Sequence, residues 1–191
     1  NETRVKANLG ATTTISASWH PRTSQKPDMD LLAAVTNYQK VTLQDGLVHT
    51  DVFLNYDILR GEMTELAIAV PVGHRILGVS SSDAKIRGWR AEPGEQRQTV
   101  RVEFLSPATN KVSIEVHTER EFDATSLQLA GQDDEGNYNG IHAVDAVRES
   151  GQLTVAGARD LSLQFEQTTG LVRIENDEIH ASIRQAGAAT F

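Results

Sequence analysis

At 191 residues, 39% apolar and 23% charged, the chain has the composition of a folded protein with a sizeable core, which excludes the disordered classes. Its formal net charge of -8, from 26 acidic against 18 basic residues, disfavours nucleic acid and anionic lipid as partners. With no cysteine, disulfides, zinc-thiolate sites and cysteine nucleophiles are excluded, and no apolar run approaches the ~18–20 residues that span a bilayer.

Taken in order, Thr12 to Trp19 is β-branched, with Ile15, Ala17 and Trp19 on one side, and reads as a first strand. His20 to Asp28 carries two prolines and reads as a loop. Asp28 to Tyr38 fits either a helix capped by Asp28 or a buried strand over Leu31 to Thr36. The strand is preferred because the surrounding period is two. Val41 to Leu43 leads into Asp45-Gly46, the dipeptide best suited to a tight hairpin.

The stretch Leu47 to Pro71 organises the chain. Val48, Val52, Leu54, Tyr56 and Ile58 fall on alternate positions, and Leu66, Ile68 and Val70 do so beyond Arg60-Gly61. It reads as two antiparallel strands joined near Leu59-Gly61, each with one face against a second layer. Asp57, Glu62 and Glu65 are expected on the wet face. Further strands are expected over Arg75 to Val79, Ile86 to Ala91, Gln98 to Leu105 and Lys111 to Thr118. Turns fall at Pro71-Gly73, Glu92-Glu95 and Pro107-Asn110, and Ser80 to Ala84 reads as a polar loop.

Glu119 to Gly140 breaks this rhythm, with its most polar part at Gly131 to Gly140. The period partly resumes at Ile141 to Val147 (strand or short helix), Leu153-Val155, Leu161-Leu163-Phe165, Leu171 to Ile174 and Ile179-Ile183. Strands about ten residues apart predict an all-β fold, an antiparallel β-sandwich. A single extended sandwich and two sub-blocks divided near residues 122–140 both fit. The first residue is Asn1 and the last pattern is unfinished, so a segment of a larger protein is expected, with targeting signals outside it.

Gly46-Leu47-Val48, Tyr56 to Glu62, Val70-Pro71, Gly88-Trp89, Ala146 to Gly151 and Thr169-Gly170-Leu171 together resemble the β-rich extracytoplasmic portions of large uncharacterised bacterial envelope proteins. The resemblance spans about residues 40–175, and its motifs are turns and strand edges. It implies a β-sandwich in the periplasm or cell envelope, without a catalytic residue to carry over.

Several residues are candidates for chemistry. Asp133, Asp134, Glu135, Asn137 and Asn139 supply oxygens of the kind calcium takes, though their spacing does not match a helix-loop-helix calcium loop and equally suits a solvated turn. Trp19, Trp89 and Tyr138 are the aromatics on which a sugar ring could stack. Only 5% of the chain is aromatic, however, and both tryptophans adjoin apolar strand positions, which favours core packing. Asp57, Glu62 and Glu65 cluster around one turn, as a glycosidase reading would need, though outward carboxylates on a half-exposed strand are expected simply to keep that face wet. The six histidines are scattered, without a His-Glu-x-x-His pair. Ser80 to Ser82 lack a nucleophile elbow. These features favour a non-enzymatic structural or protein-interaction module whose partner is a protein or a neighbouring domain of its own chain. No cofactor beyond calcium is suggested, and a carbohydrate-binding module is the alternative.

Overall fold

The computed structural model describes residues 30–122, 127–130, 139–158, 161–166, 170–175 and 177–191. The expected strand at Thr12 to Trp19 and the loop after it lie outside the described residues. The first described strands are β1 (Leu32–Gln44) and β2 (Leu47–Arg60), an antiparallel hairpin. Asp45 and Gly46 form its turn with φ of 53° and 76°, the doubly left-handed geometry whose twist matches the flanking strands. Ala33, Val35, Asn37, Val41 and Leu43 are buried on one face of β1, so the strand alternative for Leu31 to Thr36 is the correct one.

The next strands are β3 (Met63–Pro71), β4 (Arg75–Ser81), β5 (Ile86–Glu92), β6 (Arg97–Ala108) and β7 (Lys111–Glu121). They are followed by β8 (His142–Ala143), β9 (Arg148–Gly157) and β10 (Ala189–Thr190). Six of them form one sheet in the order β10-β9-β1-β2-β7-β4, and four form a second in the order β5-β6-β3-β8. The two sheets pack face to face, so the all-β sandwich expectation holds. One pairing differs. β2 and β3 are not a hairpin: β2 lies between β1 and β7, and β3 between β6 and β8. The chain turns at Gly61 (φ 82°) and crosses to the opposite layer. Alternation of period two is the same whether two strands share hydrogen bonds or face each other across a core, so it does not reveal which.

The core between the layers is built from Val52, Leu54 and Tyr56 on one side and Leu66, Ile68, Val70, Val100 and Val102 on the other. A second cluster, Val41, Leu43, Val48, Leu153 and Val155, lies toward the β1–β2 turn and is covered by Phe122, Leu127, Leu129 and Leu163. β9 runs parallel to β1, unlike the other pairings in the two sheets. After β9 the expected strands do not form. Leu161 to Phe165 and Leu171 to Ile174 have no ladder partner, and Ala181–Ile183 is a short 3-10 turn. Their apolar residues cap what is already built: Leu163 joins the second cluster, Phe165 meets Phe191 edge-on at 5.2 Å, and Ile179 and Ile183 are buried. No helix among the described residues is long and apolar enough to cross a membrane.

Candidate functional site

Among the described residues β5 is the last strand of its sheet and pairs only with β6. A register irregularity between Ile86 and Gly88 bends it. Its five central residues, 87–91, are all exposed. Trp89 stands opposite the fully buried Val102, on the inward register, yet it is 40% exposed, and among the described residues no further strand flanks β5. The expectation that Trp89 packs in the core is therefore corrected: an aromatic beside apolar strand positions is buried only where another element lies over it.

The outer face beside it is a lattice of paired charges. Arg90 contacts Glu92 at 3.0 Å and Glu103 at 2.9 Å, while Arg101 contacts Glu92 at 2.8 Å and Glu65 at 4.0 Å. Hydrogen bonds from Arg101 and Arg90 hold the Glu92 carboxyl below its ordinary value, and those to Glu92 and Glu103 hold the Arg90 guanidinium above its own. The acidic and basic residues interleaved in sequence are thus paired in space. On the outer face of the six-stranded sheet, Asp51 accepts from Lys40 and from His117 Nδ1, each at 2.8 Å. Burial pushes the Asp51 carboxyl up, but the hydrogen bonds from Lys40 and His117 outweigh it and keep it below its ordinary value.

Inside the sandwich a polar seam separates the two clusters. Asn37 and Gln39 each donate to the Ile141 carbonyl at 2.8 Å, and Asn37 also donates to Glu149 at 2.6 Å. Glu149 in turn accepts from the Ala143 amide at 2.9 Å. Nearby, burial and then the Glu149 charge push the Tyr56 phenol well above its ordinary value. Toward the sandwich end, Thr50 and Thr118 face each other across β2 and β7, and His74 Nδ1 lies 3.0 Å from Thr118 Oγ1. Burial, with the neighbouring Arg120 cation, pushes His74 down to about 4, so it is a neutral imidazole at neutral pH.

Of the candidates read from sequence, Trp19, Asp133, Asp134, Glu135, Asn137 and Tyr138 lie outside the described residues. Trp89 is at the β5 edge, and Asn139 lines a small cavity with Arg120. The carboxylates do not converge. Asp57 points out from the six-stranded sheet, 3.7 Å from Lys111, whereas Glu65 points out from the other sheet toward Arg101. The crossing at Gly61 puts them on opposite sides of the molecule. The loop expected over Ser80 to Ala84 starts later, since Ser80 and Ser81 end β4, and Ser81 Oγ donates to Asp83 and accepts from the Ala84 amide. Among the described residues no group of three or more His, Asp or Glu side chains is placed to hold a metal ion.

Sequence reasoning passed over Arg120, Asn37 and Gln39. The signal was present: each continues the inward register of its strand, Val112-Ile114-Val116-Thr118-Arg120 in β7 and Val35-Asn37-Gln39-Val41 in β1. A polar residue on the greasy register is the informative exception.

Neither a protein-family model nor a curated protein matches the sequence. Among solved structures, the fold is similar to part of yeast leukotriene A4 hydrolase bound to bestatin, with a TM-score of 0.53 and 14% identity over 90% of this chain and 29% of that one. The native enzyme from Saccharomyces cerevisiae gives 0.52 and 13% over the same shares. An M1 zinc metallopeptidase from Deinococcus radiodurans gives 0.46 and 14%, over 83% of this chain and 38% of that one. The chain therefore spans well under half the length of these proteins, and at such identity the likeness is one of fold.

Proposed function

We propose that this chain is a non-enzymatic β-sandwich module of a larger exported or membrane-anchored protein, and that it works by offering the β5 edge to a strand of a neighbouring domain or partner protein. The observation that carries this reading is the edge at Ile86–Glu92, which no second strand pairs among the described residues and which has five consecutive exposed residues with Trp89 among them. Unpaired strand backbone recruits another strand through main-chain hydrogen bonds. An exposed indole at its centre supplies the large, rigid anchor on which interface energy concentrates. Arg87, Arg90 and Glu92 on the same strand oppose indiscriminate self-pairing and select a partner with complementary charge. A similar fold occurring as 29% of a longer enzyme chain supports reading this one as a component. The extracytoplasmic setting rests on the sequence resemblance alone.

Hydrogen exchange on residues 86–92, in this chain alone and within a longer protein that contains it, tests the proposal. Alternate amides of β5 gain protection in the longer protein, and Trp89→Asp removes that gain. Unchanged exchange rejects strand addition. If exchange is unchanged and a polysaccharide quenches and blue-shifts Trp89 emission, the carbohydrate-binding reading replaces it.

A further inference from the structure

Arg120 occupies an inward position at the end of β7, opposite the fully buried Val48. Its Nε is buried without a hydrogen-bond partner, and among the described residues no carboxylate pairs with it. The Asn139 Nδ2, on the same cavity, is likewise buried and unpartnered. Two donors without acceptors, one of them cationic, are an expensive arrangement to keep in a protein interior. The cavity between them measures about 10 Å³, room for a single oxygen-sized atom. Arg120 also borders an open depression of about 580 Å³, flanked by Leu47, Val72 and Arg75.

We propose that Arg120 and Asn139 form the floor of a carboxylate-binding pocket, in which one carboxylate oxygen enters the small cavity and the organic remainder lies in the depression against Leu47 and Val72. The sizes decide the class. One oxygen fits the inner space, and the outer space accepts an aliphatic body. A water molecule would satisfy the two donors but leave the guanidinium charge uncompensated in a partly dry site. Phosphate is disfavoured at the rim: Arg75 is already held by Glu119, and with Glu121 beside Arg120 the lining has no positive charge left over for the second charge of a dianion. Burial lowers the affinity of Arg120 for its proton, as expected of a cation awaiting a counter-charge. This pocket uses none of the β5 residues, and it stands or falls separately from the edge reading.

The test is an NMR titration at pH 7 and constant ionic strength, following the Arg120 Nε–H and the Asn139 side-chain amide. Propionate and N-acetylglutamate amide shift both signals saturably in the millimolar range, while chloride and inorganic phosphate do not. Arg120→Gln, which removes a buried charge and leaves the fold intact, abolishes the response. Asn139→Asp, which places a carboxylate inside the pocket, raises the melting temperature and also abolishes it. Binding of N-acetylglutamate amide alone identifies an acidic side chain as the natural occupant; binding of propionate alone identifies a free acid. No saturable shift, an equal response to chloride or phosphate, or an unaltered titration in Arg120→Gln would overturn the proposal.

Discussion

Glu149→Ala tests how the two sheets are pinned together near β8. Glu149 belongs to β9 of the six-stranded sheet, and its carboxylate accepts from Asn37 Nδ2 at 2.6 Å and from the Ala143 amide at 2.9 Å. Ala143 belongs to the other sheet, where it pairs with Ile68, and the Val144 amide donates to the Ala67 carbonyl. One side chain therefore spans both layers. Hydrogen bonds to a charged group contribute roughly 1.5–3 kcal/mol each, so two bring about 3–6 kcal/mol before solvent is considered. Glu149 is only partly buried, and water recovers some of this, leaving an expected loss of about 2–4 kcal/mol. For a chain of this length that lowers the melting temperature by roughly 5–15 °C. Glu149→Gln retains one acceptor and loses about half as much. Adding Asn37→Ala to Glu149→Ala costs less than Asn37→Ala alone, with a coupling of about 1–2 kcal/mol. Urea denaturation with an unchanged m-value measures each. A loss below about 0.5 kcal/mol, or strictly additive single and double variants, would refute the argument that this carboxylate links the layers.

Gly151 faces Asn37 across the parallel pair, and a Cβ there would overlap the Asn37 carbonyl oxygen and lie 2.6 Å from its carbon. Gly151→Ala therefore separates β9 from β1 and costs about 3 kcal/mol or more, read by denaturation and by loss of amide protection in β9. His74 binds its proton near pH 4 when folded and near 6.5 when unfolded, so the unfolded state takes up the proton first as pH falls. Its contribution is complete above about pH 6.5 and is lost progressively down to about pH 4, by up to about 3 kcal/mol; His74→Gln flattens that part of the stability–pH curve. Asp51→Asn removes the acceptor of Lys40 and His117 and costs about 1 kcal/mol at low salt, an effect that shrinks in 1 M salt as the partly exposed pairs are screened.

The first seven strands were legible because each depends on local signals. Alternation sets their buried faces, and Asp45-Gly46 accepts two positive φ values in succession, so the β1–β2 turn was visible in two residues. The partner of β3 was not visible. Its neighbours β6 and β8 lie about 30 and 70 residues further on, and no local pattern records a pairing at that separation. After residue 158 the alternation of Leu161, Leu163 and Phe165 is as regular as that of Val112, Ile114 and Val116, yet only the latter lies beside a strand with free hydrogen bonds. A greasy face needs only a surface to cover, whereas a strand also needs a ladder. The β5 edge escaped for the complementary reason: Trp89 has the sequence surroundings of a core residue, and its exposure depends on which elements lie beside β5, where the described residues place no further strand.

The polar residues of the inward register lie where one layer stops being sheet. Through Leu54, Ile68 and Val102 the inward register is wholly apolar, because strand faces strand and both backbones are satisfied within their own ladders. Where β1, β2 and β7 run on toward the Asp45-Gly46 turn, what faces them is loop, and loop backbone brings carbonyls and amides that need partners. At the seam the inward register turns polar: Asn37 and Gln39 meet the Ile141 carbonyl, and Thr118 meets His74, before Val41, Leu43 and Val48 resume an apolar register beside the turn. Arg120 is the next step in that series, and its Nε has no acceptor among the described residues. The change from valine to threonine to arginine along β7 therefore follows the change from dry sheet packing to loop to open depression. A site at its end would be built by the same rule that ends the core.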